Sequence, residues 1–214
     1  MRIRTLLVSS LFVMFSAVFA TSAIAQADKY IAGTHYTILE NPVRTADDSK
    51  IEVTEIFWYG CPACFNFEPL LNGWVKNQAE DVNFIRFPGI FNGLMKIHAQ
   101  VFYTAQNMGV SELVHDSIFD NLVVQRRQLQ TADQVAALFA KQDINREETV
   151  AAFNSFSVKT KTNQAEKLTN DYRPRGTPSM VVNGKYSISI GGAVTGQREM
   201  LSIVDFLIEK ERSS

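Results

Sequence analysis

The chain is poor in cysteine: two in 214 residues, and those two lie three positions apart. That excludes a disulfide-stapled scaffold, which needs several pairs joining distant segments. A zinc site is excluded as well, because it needs about four ligands and there is no second cysteine pair. The three histidines, His35, His98 and His115, show no ligand spacing with Cys61 and Cys64, and each reads as a surface or satisfied core residue. Charge of one sign is also lacking. The formal net charge is −1, so no basic field invites nucleic acid. There is no acidic tail, low-complexity segment or internal repeat.

One apolar run stands out, Leu6 to Ala20, and it is short for a membrane span. Arg2 and Arg4 precede it and Ala23-Ile24-Ala25 follows it. This is the order of a secretory leader: basic start, apolar middle, small-x-small end. We read residues 1–25 as a signal peptide cut before Gln26, with Ala20 as the competing site. No cysteine lies nearby to take a lipid. Export would place both cysteines in an oxidising compartment.

The rest of the chain is organised around Glu55-Ile-Phe-Trp-Tyr-Gly-Cys61-Pro62-Ala63-Cys64-Phe65. The run from Ile51 to Tyr59 alternates as a strand. Gly60 turns it, and Pro62 suits the first turn of a helix, where its missing N–H costs nothing. Cys61 then sits at the helix N-terminus, where unpaired N–H groups and the positive dipole end favour a thiolate. Cys64, one turn on, can close a small disulfide ring. The pattern is that of a redox dithiol, with Cys61 as attacking thiolate and Cys64 as resolving thiol, the first exposed and the second covered.

Glu55 is the polar member of an apolar strand face. It is either solvated at an edge or buried near the dithiol, where its pKa would rise and it could relay protons to Cys64. Arg86 lies in a second apolar strand, Val82 to Phe87, and either pairs with a carboxylate such as Glu55 or snorkels outward. The strand–helix–strand order implies a right-handed crossover with parallel strands. Pro69 should kink the intervening helix.

Residues 92–172 read as helical throughout. Leu94, His98, Val101, Ala105 and Met108 follow helical spacing, and Thr131 with Gln134 forms a capping-box pattern that Asn145 with Glu148 repeats. Nothing in this stretch suggests catalysis of its own. After Arg173-Pro-Arg-Gly-Thr177-Pro178, two strands flank Asn183-Gly184, a strong hairpin signal, and Met200, Leu201, Val204, Leu207 and Ile208 form the face of a closing helix. Tyr36-Thr37-Ile38 suggests a short edge strand.

Taken together, Cys-Pro-x-Cys after an apolar strand, Arg175-Gly-Thr-Pro-Ser-Met-Val-Val-Asn-Gly-Lys-Tyr186 near the end, and helices between them resemble the DsbA family. The resemblance spans nearly the whole processed chain. It implies an α/β thioredoxin fold, residues 26–91 and 173–214, with an all-helical domain inserted at 92–172. It implies a periplasmic thiol oxidase that passes its disulfide to reduced, unfolded, newly exported proteins, is recharged by a DsbB-type quinone-linked membrane partner, works as a monomer and needs no cofactor. Thr177-Pro178, an ordinary trans turn from sequence alone, would match the cis-proline loop facing the cysteines, its backbone free to pair with an extended substrate. Pro62, Ala63, Glu55, Thr177 and Pro178 would then support the site, and Thr177 and Arg175 would bind substrate. Glu55 falls where the family keeps a buried acid, with Arg86 near its basic partner.

Two positions depart from the family's familiar pattern. Ala63 stands where strong oxidants often carry histidine, which implies a less stabilised thiolate and a weaker oxidant. Thr177 replaces the common valine and could add a polar contact. The main alternative is a reductase or isomerase on the same fold, although the stretch before the central strand is short for an added dimerisation domain. Two intact cysteines speak against a purely binding protein, and export with paired thiols against a glutathione-transferase-like enzyme.

Overall fold

The computed structural model describes residues 29–213. The leader reading, residues 1–25, lies outside them. Five strands form one sheet in the order β1-β5-β4-β2-β3. They are β1 (Thr37–Ile38), β2 (Ile51–Phe57), β3 (Val82–Pro88), β4 (Ser179–Val182) and β5 (Tyr186–Ser189). β2 and β3 run parallel with Glu55 opposite Arg86. β2 pairs antiparallel with β4, and β4 with β5.

Helix α1 (Pro62–Lys76) joins the parallel pair, as the strand–helix–strand order requires. Between β3 and β4 lie α2 (Gly93–Asn107), α3 (Ser111–Phe119), α4 (Ala132–Phe139), α5 (Arg146–Asn154) and α6 (Phe156–Tyr172). Helix α7 (Gln197–Arg212) closes the fold. The helical stretch is interrupted: a π turn over Asp120–Val124 leads into a non-helical passage before α4. Thr131 and Gln134 cap α4 reciprocally. Asn145 caps α5 by accepting from the Glu148 N–H.

Two apolar cores lie on the sheet. One packs Val53, Met180, Val182 and Ile188 against Phe67 and Leu71 of α1 and against Met200, Ile203, Val204, Leu207 and Ile208 of α7. The other packs Ile56, Phe57, Tyr59 and Phe87 against Val101, Phe102, Ile118, Phe119 and Phe139 of the helical stretch. The closing helix thus buries the face its spacing predicts. In α2 the expected stripe holds at His98, Val101 and Ala105, but Leu94 is exposed and Phe102 and Tyr103 are buried. The helix packs on two sides, which a single-stripe reading misses.

The β4–β5 hairpin turns at Asn183 (φ 50°) and Gly184 (φ 62°), the pair of left-handed residues that a two-residue hairpin demands. A Cβ on Gly184 would lie 1.9 Å from the Val43 carbonyl oxygen, so glycine is required there twice over. Glu211 of α7 gathers this turn by accepting from Lys185 Nζ at 2.5 Å and the Tyr186 hydroxyl at 3.0 Å.

Candidate active site

Where β2 ends, the chain turns through Trp58, Tyr59 and Gly60 into α1. Cys61 is the N-cap of that helix, and Pro62 opens it. An N-cap side chain accepts from the first free N–H groups, and here the acceptor is sulfur: Cys61 Sγ lies 3.4 Å from the Cys64 N–H. Both cysteines are free thiols. Both are buried, Cys61 with 9% of its surface left and Cys64 with none; the first sulfur is thus nearly covered rather than exposed, and it alone keeps surface that a partner can reach.

The two thiols are driven apart in acidity. Cys61 falls to about 5, chiefly through a hydrogen bond from the Cys64 side chain. Burial opposes this, and the Thr177 side chain and the Cys64 and Ala63 backbone groups assist it. Cys64 is pushed well above its ordinary value, first by burial and then by Cys61 itself. A low first pKa gives a good leaving group, and a high second one keeps a proton on the covered sulfur.

Thr177 faces Cys61 from the far end of the chain. Cys61 Sγ lies 3.3 Å from its carbonyl oxygen, and the Thr177–Pro178 peptide is cis. Ala63 is exposed, and its carbonyl accepts from Gln197 Nε2 at 2.7 Å, tying the turn to α7. Arg175 is exposed two residues before Thr177, with its backbone N–H on the Ser189 hydroxyl at 3.3 Å. It lines a cleft of about 590 Å³ with Arg44, Lys167 and Arg173, and no residue of the Cys61–Cys64 turn borders that cleft.

Glu55 is fully buried. Burial raises its carboxyl to about 8, against the pull of Arg86. Arg86 Nε stands 3.4 Å from Glu55 Oε2, yet neither Glu55 oxygen has a hydrogen-bond partner, so the contact is charge without good geometry. Of the two alternatives open for Arg86, pairing is the one realised, but it is shared: Arg86 Nη1 also lies 3.2 Å from both oxygens of Glu68. Burial pushes Glu68 up, and the His115 and Arg86 contacts outweigh it, leaving Glu68 below the usual carboxylate range.

Glu68 was not singled out by the sequence, although it stands four residues after Cys64, on the same helical face. Two of the three histidines are likewise more than the surface or satisfied core residues their spacing implied. His115 of α3 lies 2.7 Å from Arg86 Nη1 and 2.9 Å from the Tyr59 hydroxyl. His98 of α2 accepts from the Trp58 indole N–H at 2.9 Å, with its own Nε2 buried and unpartnered. Trp58 and Tyr59, the two residues before the Gly60 turn, are thus held by histidines from the helical stretch. No local signal marks such a contact; the separations are 40 and 56 residues.

Among the described residues no group of three or more His, Cys, Asp or Glu could hold a metal ion, and no helix is long and apolar enough to cross a membrane. A sheet of this topology, with a cysteine capping the helix after its central strand and a cis-proline loop opposite, defines a dithiol protein of the thioredoxin class.

Comparison with known proteins narrows this. The family description DSBA-like thioredoxin domain matches residues 75–207. The thiol:disulfide interchange protein DsbA of Pseudomonas aeruginosa PAO1 is 42% identical over 190 residues, covering 89% of this chain and 90% of that protein. That of Azotobacter vinelandii is 43% identical over 182 residues, covering 85% of each. The crystal structure of Pseudomonas aeruginosa DsbA superposes with a TM-score of 0.82 at 41% identity, covering 87% of this chain and 97% of that one. The chain belongs to the DsbA-like thioredoxin family. It is a thiol:disulfide oxidoreductase that donates a disulfide to proteins by exchange.

Proposed function

We propose that the exchanging pair is Cys61–Cys64 and that the protein works in the periplasm after removal of residues 1–25. A substrate thiolate attacks Cys61 Sγ of the disulfide. The new S–S bond forms at Cys61, the Cys61–Cys64 bond breaks, and its electron pair leaves on Cys64 Sγ, which takes a proton. A second substrate thiolate then attacks the substrate sulfur of the mixed disulfide. The substrate leaves oxidised, and Cys61 departs as a thiolate.

The observation that carries this reading is the opposed acidity of the two sulfurs, Cys61 down to about 5 and Cys64 pushed up. It makes the reduced enzyme the stabilised product and so favours giving the disulfide away. Pro62 and Ala63 hold the capping geometry, Glu55 supplies the proton for Cys64, and Pro178 with Thr177 forms the wall opposite Cys61. Thr177 and Arg175 bind the substrate chain. The thioredoxin-like part comprises 26–91 and 173–214, and the helical insertion 92–172. A DsbB-type membrane quinone reductase withdraws the electrons, and the enzyme acts as a monomer.

The test is the equilibrium of the pair with glutathione, together with oxidation of a reduced, unfolded protein. A potential clearly on the oxidising side of thioredoxin's, though below that of relatives with histidine at the Ala63 position, with activity lost in Cys61→Ser, is expected. A potential near that of thioredoxin would overturn the oxidase direction and make the protein a reductase.

A further inference from the structure

The peptide unit between Ala63 and Cys64 is engaged at both ends. Its N–H, on Cys64, points at Cys61 Sγ at 3.4 Å. Its carbonyl, on Ala63, accepts from Gln197 Nε2 at 2.7 Å. A carbonyl oxygen has only lone pairs to offer, so the end of the Gln197 amide that meets it is the NH2. The two bonds therefore run in series through one peptide, from the Gln197 N–H to the carbonyl oxygen and from the amide N–H to sulfur. Hydrogen bonds in such a chain polarise one another. A donor on the carbonyl makes the amide proton of the same unit more positive, and an anionic sulfur makes the carbonyl a better acceptor.

Gln197 lies 134 residues from Ala63 in sequence, and its own helix fixes its place. It is the first residue of α7, after the Gly196 cap. Just before it, the Thr195 N–H and hydroxyl both donate to Glu199 Oε2 at 2.7 Å, which pins the entry to the helix. One turn on, Met200 and Leu201 are buried in the core that α7 shares with α1. The amide is thus presented to the dithiol turn from a rigid support. The Ala63 side chain is a methyl and brings the sulfur neither charge nor donor, so at this position the backbone acts instead. Behind the Cys64 side chain, the largest influence, the Cys64 backbone N–H is among the groups that lower Cys61.

We propose that Gln197 is a positioning residue for the exchange: by holding and polarising the Ala63–Cys64 peptide it strengthens that peptide's hydrogen bond to an anionic Cys61 sulfur, and so biases the pair toward giving its disulfide away. The bias has a direction because the two redox states differ at Sγ. In the reduced state the sulfur carries charge, and a charge-assisted bond draws on the relay. In the disulfide it carries none, and the Gln197 contact is an ordinary bond between neutral groups. Gln197 gains and loses no atom or electron in the exchange. The inference rests on Cys61–Cys64 as the exchanging pair, and it adds a residue of α7 to the groups that set the equilibrium.

The test uses Gln197→Met in the full-length protein, which keeps the length of the side chain, loses the donor and changes no charge. The glutathione equilibrium of this variant should move toward the disulfide by roughly 1.5-fold to 4-fold. The Cys61 thiolate midpoint, read from thiolate absorbance, should rise by the same factor. Gln197→Lys restores a donor and should bring the equilibrium back to the wild-type value or past it toward the dithiol. A merely structural tie would lower the urea midpoint of Gln197→Met and leave the equilibrium and the thiolate where they were; that result overturns the proposal. In the wild type, the Gln197 side-chain NH2 resonances should move as Cys61 ionises in the reduced protein. Resonances that stay still overturn the proposal too, and they decide alone should Gln197→Met fold poorly. Failure of the underlying assignment shows separately, as exchange that survives Cys61→Ser.

Discussion

Thr177 and Cys61, 116 residues apart, meet at 3.3 Å between carbonyl oxygen and sulfur, and the Thr177 side chain also hydrogen-bonds the Cys61 thiolate. The threonine is therefore part of what makes the first sulfur acidic. Thr177→Val should destabilise that thiolate by the reach of one hydrogen bond, about 1 kcal/mol. The glutathione equilibrium of the pair would move roughly threefold to tenfold toward the disulfide. An unchanged equilibrium would remove Thr177 from the account of Cys61.

The largest influence on Cys61 is the Cys64 side chain. Cys64→Ala removes that donor, so the Cys61 thiolate midpoint, read from absorbance at 240 nm, should rise above about 5. The sign for stability follows from a depressed pKa. The thiolate stabilises the reduced wild type fully above the ordinary cysteine value, and that stability is lost as pH falls through about 5. Reduced protein should melt above oxidised protein at pH 7, and the gap should narrow toward pH 4.

Glu55 works in the opposite direction. Its carboxyl is raised from 4.5 to about 8 by burial, so between those values the folded protein holds a proton that the unfolded chain has released. Stability therefore falls as pH rises through this window, by up to about 1.4 kcal/mol per unit. Glu55→Gln should abolish that slope and leave the variant roughly 1–3 kcal/mol more stable than wild type at pH 8. Denaturant titrations at pH 5 and pH 8 would show it. Identical slopes in both proteins would mean that Glu55 is ionised throughout.

Away from the site, Gly184→Ala should cost about 2 kcal/mol or more. The added methyl would meet the Val43 carbonyl at 1.9 Å on a backbone of φ +62°. A midpoint shift in urea without a change in slope is expected.

Local chemistry determined much of this protein. Alternation placed β2, an apolar run placed β3, Pro62 opened α1 after the Cys61 cap, Asn183-Gly184 made the hairpin, and the spacing from Met200 to Ile208 buried α7. Each signal lies within a few residues of its effect, because hydrogen-bond periodicity and turn sterics act over that range. The placement of Cys61 as the cap of α1, with Cys64 one turn on, was legible for the same reason.

What the fold alone decided is which groups meet beneath and beside that dithiol. A carboxylate in a strand reads equally as solvated or sealed. Only the folded arrangement buries Glu55 and sets Arg86, opposite it on β3, between it and Glu68 of α1. His98 and His115 look like ordinary members of helical stripes, yet they reach Trp58 and Tyr59 across 40 and 56 residues. Electrostatic energy depends on distance and on exclusion of water, and neither is a property of neighbours in sequence. The sequence by itself therefore set the two sulfurs one helical turn apart at the start of α1, and the tertiary structure decided which charged groups lie beneath them.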